Sequence, residues 1–183
     1  MSSNVRGSMN AVEFKWVEEM DAAPWLVLRT RSRHESVVES VLEQRGVSAY
    51  LPRQTLTRRS KQKRGQTSLP LFSGYIFVRP RVDQYEGMRY IRGSCGFVLA
   101  AGRPASLPEE EVMAVKKLVD SGLDLTIEPN LVPGRRVNIV SGPFAGVQGE
   151  LIHLKNQASL VVNVQLVGSS VRVEVDREAI ELL

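Results

Sequence analysis

Cysteine is almost missing from the 183 residues, and Cys95 is the single one. One thiol can neither close an internal disulfide nor build a thiolate metal cluster, which fits a reducing compartment. Histidine is equally scarce. His34 and His153 are the only two and fall in different halves, so a catalytic or metal-binding pair is not expected. A G-x-x-x-x-G-K phosphate loop and an H-E-x-x-H zinc motif are both absent. No apolar run approaches the roughly 20 residues needed to span a bilayer, and the N-terminus lacks the basic-then-apolar order of a signal peptide. The expectation is a cytoplasmic protein with no membrane partner, no cofactor, no metal and no catalytic residue.

Charge is present, and it is unevenly placed. Lys and Arg number 24 against 20 Asp and Glu, a small excess that would mean little if evenly spread. From Trp25 to Ser121 there are 17 basic and 9 acidic residues, whereas from Pro133 to Leu183 there are 5 of each. Two modules with different partners are implied. The opening stretch, residues 1–23, is polar and then acidic without a clear period, and is expected to be a mobile leader with at most a short helix near Phe14 to Met20.

Local patterning divides the rest. Trp25-Leu26-Val27-Leu28 is a short apolar run suited to a buried strand. Ser32 and Glu35 have capping-box spacing, and Val37, Val38, Val41 and Leu42 recur at one-turn intervals until Gly46, which predicts an amphipathic helix. Ser48 to Thr57 reads as extended with Pro52 at an edge or bulge. A basic loop, Arg58 to Gln66, leads to a strand over Leu69 to Val78. A brief helix over Asp83 to Tyr90, a strand at Phe97-Val98-Leu99 and a second helix capped by Ser106 and Glu109 complete a βαββαβα order. This order predicts an α+β domain over residues 24–121, an antiparallel sheet with helices against one face and the other face partly free. Residues 122–131, with Pro129 and Asn130, read as a linker. Residues 132–183 are all-β in character: Val171, Val173 and Val175 alternate with Arg172, Glu174 and Asp176. A sheet this small buries a core only by curling into a barrel, with Gly168-Ser169-Ser170 as a hairpin connection.

Three features could carry function. Tyr50 to Val82 holds Arg53, Arg58, Arg59, Lys61, Lys63, Arg64, Arg79 and Arg81 without one Asp or Glu. This is either a solvated surface or a phosphate-binding one, since clustered Arg and Lys displace condensed counterions from nucleic acid. Pro70-Leu71-Phe72-Ser73-Gly74-Tyr75-Ile76-Phe77-Val78 concentrates large apolar groups around a glycine. It reads as a buried strand after a turn or, if the sheet face is uncovered, as an exposed Phe72 and Tyr75 patch for a protein partner. The third feature is the glycine-punctuated stretch from Val132 to Glu150, with Gly134, Gly142, Phe144, Gly146 and Gly149, where turns or bends need positive φ.

The last stretch resembles a KOW motif, and Phe72 to Val78 resembles the F-P-G-Y-hydrophobic signature of the NusG amino-terminal domain. The tryptophan-led strand, the helix and the Ile91-Arg92-Gly93 region follow in the same order, so the resemblance to the NusG family covers Trp25 to Leu183. It implies an RRM-like NGN sandwich followed by a Tudor- or SH3-like KOW barrel. Ser73 stands where the family usually has proline. Tyr50-Leu51-Pro52, a basic loop and Leu69-Pro70-Leu71-Phe72 are most similar to specialised paralogues of the RfaH, UpxY and LoaP type.

The resemblance implies a monomeric transcription elongation factor promoting processive transcription or antitermination at a restricted set of operons. By the same resemblance, Trp25, Phe72, Gly74, Tyr75 and Phe77 would meet the clamp helices of RNA polymerase. Arg31, His34, Arg58, Arg59, Lys61, Lys63, Arg64 and Arg92 would meet the non-template DNA strand. Arg31 and Arg92 match basic positions facing DNA in RfaH-like proteins, and housekeeping relatives have proline where Arg92 stands. The KOW domain would reach a ribosomal protein or Rho through the hairpin at Leu166 and Val167. Housekeeping relatives carry a large aromatic where Val167 stands, which leaves those two partners open. The domain is expected to remain a barrel rather than switch to helices as in RfaH, because its glycines and Pro143 would interrupt a helix. The competing reading is a ribosome-associated or RNA-binding KOW protein.

Overall fold

The computed structural model describes residues 23–59, 64–154 and 157–183. The expected leader helix therefore lies outside the described residues. Strand β1 (Trp25–Thr30) is buried on both faces. Leu26 and Leu28 join one core with Val38 and Leu42 of helix α1 (Glu35–Gln44), while Val27 turns to the other. That two-sided burial is why the run carries no polar alternation. Helix α1 begins three residues after Ser32. His34 is its N-cap and makes no side-chain cap bond, so the predicted capping box does not form. Arg33 sits at φ 65° in the tight turn that precedes the helix.

The predicted strand over Ser48 to Thr57 is divided at Leu51-Pro52 into β2 (Ser48–Tyr50) and β3 (Arg53–Arg59). The basic segment is no simple loop, because β3 pairs with β4 (Arg64–Pro70) as a separate two-stranded ribbon. A turn at Leu71 to Gly74 leads into β5 (Tyr75–Arg79). Asp83 to Tyr90 forms 3-10 turns rather than a helix. Strands β6 (Ser94–Phe97), β7 (Leu99–Ala100), β8 (Arg103–Pro104) and β9 (Ser106–Leu107) follow. Ser106 pairs with Leu26 as part of β9, so it does not cap helix α2 (Glu109–Asp120), whose N-cap is Pro108. The main sheet has the order β2-β5-β1-β6, with β9 also on β1, and its described pairings are antiparallel.

The expected linker carries β10 (Thr126–Glu128), which pairs with β14 (Ser169–Glu174). The second sheet runs β10-β14-β13-β12-β11-β15, with β11 (Arg135–Ile139), β12 (Gln148–Leu154), β13 (Gln157–Val164) and β15 (Ile180–Leu182). No α-helix occurs among its described residues. The β13–β14 connection is a 3-10 turn at Gln165–Val167 closed by Gly168, with Ser169 and Ser170 already in β14. Asn163 imitates a strand edge toward the incoming chain: Val132 N–H donates to its Oδ1 and its Nδ2 donates to Val132 C=O, both at 3.0 Å. The segment between β10 and β11 is thereby fastened to β13.

The two units share a core. Val27, Phe72, Phe77 and Leu107 of the first sheet, Val112, Val115 and Leu118 of α2, and Val137, Leu160 and Val173 of the second sheet form one continuous buried cluster. Helix α2 lies against β13, and Lys117 Nζ donates to Ala145 C=O at 2.8 Å.

Candidate functional site

The turn before β5 is built around Gly74. Its φ is 82°, a left-handed value that a side chain opposes, and an added Cβ would sit 3.4 Å from Thr30 O. Gly74 C=O accepts the Thr30 N–H at 2.8 Å, and Gly74 N–H donates to Glu35 Oε1 at 2.8 Å. Tyr75 N–H closes the turn on Phe72 C=O at 3.2 Å. Phe72 and Phe77 lie with ring centroids 5.9 Å apart, and Tyr50 adds a third ring 6.2 Å from Phe77. Trp25 is half-buried, with the Arg79 guanidinium 5.9 Å above its ring.

The expected free face is covered. Phe72 is 3% exposed and Phe77 1%, while Trp25, Tyr50 and Tyr75 of the aromatic group keep partial exposure. The physical reason is the shared core, in which the face of Val27 and Phe77 packs with α2 and the second sheet. Several buried polar atoms in and around this core lack partners among the described residues: Trp25 Nε1, Tyr50 Oη, Glu111 Oε2 and Glu150 Oε2. Burial, and then the Asp120 carboxylate, push the Tyr50 phenol up to about 12. Glu111 is raised by burial, a hydrogen bond with the Gln165 backbone opposing the shift and the Glu110 carboxylate adding to it. Glu111, Glu150, Lys117 and Arg136 line a cavity of about 790 Å³ between α2 and the second sheet.

The eight-residue basic run resolves into two sets. Arg53 makes a bidentate ion pair with Glu39 of α1, Nη1 to Oε1 at 2.8 Å, and also donates to Ser36. Arg79 pairs with Glu109 at 3.4 Å and Arg81 with Asp83 at 3.2 Å. These three have structural partners. Arg58, Arg59 and Arg64 fall at the end of the β3–β4 ribbon, in register as Arg58 with Gly65 and Arg59 with Arg64. Lys61 and Lys63 lie outside the described residues.

A second basic surface forms where β1 ends. Arg31 N–H donates to Gly93 C=O at 2.8 Å, so the turn at Arg31 to His34 and the turn at Ile91 to Ser94 are tied together. A Cβ on Gly93, at φ 95°, would come within 2.8 Å of His34 Cβ. His34 is thus half-buried packing, with Nδ1 3.1 Å from Ser32 O, rather than a freely projecting contact. Arg31, Arg33 and Arg92 are exposed and have no carboxylate partner among the described residues. Tyr90, at 77% exposure, stands two residues before Arg92. Sequence reasoning missed Arg33 and Tyr90, whose exposure depends on turns with no distinctive pattern.

In the second sheet, Gly142 (φ 79°) and Gly146 (φ 81°) bracket buried Phe144 between β11 and β12. Gly146 N–H donates to Ile139 C=O at 2.6 Å. Gly149 is required by contact: a Cβ there would lie 2.5 Å from Val161 O. A Cβ on Gly134 would lie 2.8 Å from Leu151 O. Leu166 and Val167 are half-buried against the shared core, so their hairpin is not a fully free surface.

A family model described as "Transcription termination factor nusG" matches residues 23–116. The chain is 32% identical over 182 residues to the transcription termination/antitermination protein NusG of Staphylococcus aureus (strain Mu50 / ATCC 700699), covering 91% of this chain and 99% of that protein. The NusG protein of S. aureus strain N315 matches with the same identity and coverage. Among solved structures, one described as "Domain interaction in Thermotoga maritima NusG" is similar at a TM-score of 0.48 and 25% identity, over 86% of this chain and 96% of that one.

Proposed function

The chain belongs to the NusG family of transcription termination and antitermination factors, and from that premise we propose that it binds RNA polymerase and promotes processive transcription at a restricted set of operons. It acts by contact alone. The reading is carried by one observation: the consecutive residues Thr30 and Arg31 fasten the aromatic turn, through Gly74 C=O, and the unpaired arginine surface, through Gly93 C=O. A protein-binding face and a nucleic-acid-binding face are thereby held in fixed relation at the end of one strand. That is what a factor bridging polymerase and an exposed DNA strand requires.

In this reading Trp25, Phe72, Tyr75 and Phe77 meet the polymerase clamp helices once α2 and the second sheet loosen from the apolar face. The unpartnered Trp25, Tyr50, Glu111 and Glu150 atoms favour that opening, since a buried polar group without a partner costs about 1–3 kcal/mol. Arg31 and Arg92 meet the non-template strand, with the ribbon cations holding phosphate without regard to sequence. The second domain would carry any link to a ribosomal protein or Rho. A transcriptome of a strain lacking the gene tests the subtype: altered read-through at one or a few loci is expected, and a genome-wide response would replace the specialised reading with a general one.

A further inference from the structure

The β3–β4 ribbon belongs to neither large sheet, and its strands pair only with each other among the described strands. A lone two-stranded ribbon is marginal in water, so whatever grips its base sets its direction. Two adjacent side chains do this. Successive side chains of a strand leave on opposite faces, and Arg53 and Gln54 use both. Arg53 turns to the first unit, pairing bidentately with Glu39 and donating to Ser36, both on α1. Gln54 turns away from it: Nε2 donates to Leu125 C=O at 2.8 Å, 71 positions further along the chain. Leu69, opposite Gln54 in the ribbon, is 42% exposed, so packing on that face does not duplicate the bond.

Leu125 is the junction of the two units. Its side chain is buried in the shared core. The next residue opens β10, which is held to β14 by strand pairing and by the Arg172–Glu128 ion pair at 2.8 Å. The acceptor that Gln54 uses therefore travels with the second sheet. We propose that the Gln54–Leu125 bond is a latch between the ribbon and the second unit. With that unit docked, the ribbon is held from both faces. Once it leaves, the ribbon keeps only the Arg53–Glu39 anchor and swings on it. This deepens the opening proposed above and rests on it. A single event then bares the aromatic face and frees the arm that carries Arg58 and Arg59 at its end. Coupling of this kind is reciprocal, so a partner that binds the swung ribbon also favours the open seam.

Hydrogen exchange of the full chain, read at single amides across low urea concentrations, tests the latch. Gln54→Ala should speed exchange about two- to tenfold in the ribbon and in α2, the effect of losing one hydrogen bond, while β1 and β5 amides keep their rates. Glu39→Ala should speed the ribbon alone, because that anchor lies within the first unit. A Gln54→Ala chain that loosens the ribbon but not α2, that changes neither, or that speeds β1 and β5 equally overturns the latch. The opening itself is read from the wild type, where α2 amides should exchange through an event smaller than global unfolding. If they exchange only by global unfolding, the seam does not open on its own and both readings fall.

Discussion

The buried carboxylate of Glu35, 3% exposed at the start of α1, accepts the backbone N–H of Gly74 at 2.8 Å in the turn ahead of β5. The residue whose spacing suggested a local helix cap instead joins the first helix to the aromatic turn 39 positions away. Glu35→Ala leaves the Gly74 N–H without this acceptor, and a loss of about 1–3 kcal/mol is expected in denaturant unfolding. Glu35→Gln keeps an acceptor oxygen and should cost less. An alanine variant as stable as wild type would show that this bond does not hold the turn in place.

Replacing Phe72 and Tyr75 together with Ala should weaken polymerase binding by about 2 kcal/mol or more, the usual effect of truncating aromatic anchors. Phe72 is buried, so the double variant must first be shown folded by circular dichroism. Tyr75→Ala alone touches a half-buried ring and serves as the milder check. Folded variants that bind polymerase as tightly as wild type would sink the assignment.

Glu111 supplies a pH dependence. Its folded value is raised above the ordinary 4.5 by burial, so the folded chain holds this proton more tightly than the unfolded one. The stabilisation is fully present below 4.5 and is lost as pH rises through the raised folded value. Glu111→Gln should flatten this part of the stability-versus-pH curve and protect the α2 and β13 amides at neutral pH, as read by hydrogen exchange. An unchanged curve would show that Glu111 does not control the seam.

Much of this was legible in the sequence. Trp25 to Leu28 and the alternation from Val171 to Glu174 declared their strands because burial on two faces and on one face leaves distinct patterns, although Val175 and Asp176 fall beyond the end of β14. Gly149 was expected at a turn with positive φ, but its φ is not positive, and contact makes the glycine necessary instead, because only a residue without Cβ fits beside Val161 O. What failed was whatever depended on distant contacts. Ser106 had a capping spacing, but pairing with Leu26 claimed it for a strand. Arg53 looked like part of a phosphate-binding run, but Glu39 of α1 pairs with it. Phe72 was read for an exposed patch, yet the shared core covers it. Charge counts and periodicity carry no information about which surfaces meet.

Arg92→Ala and neutralisation of the ribbon cations should fail differently. A guanidinium can contact a base edge bidentately, whereas in the proposed reading the cations at the ribbon tip would hold phosphate. Recruitment to paused complexes carrying a target or a scrambled non-template strand, measured across salt concentrations, separates them. Arg92→Ala should lose discrimination. Neutralising Arg58 and Arg59 should weaken both sequences and lower the salt slope by about one for each phosphate no longer neutralised. Full discrimination by Arg92→Ala would remove its reading role.

Whether this chain works on polymerase or on the ribosome is decided most directly by binding of the full chain, at equal concentrations, to purified RNA polymerase elongation complexes and to ribosomes free of polymerase. Binding to the elongation complex that weakens with Phe72→Ala/Tyr75→Ala is the predicted result. Binding to ribosomes alone, unaffected by that substitution, would contradict it and establish the ribosome-associated reading in its place.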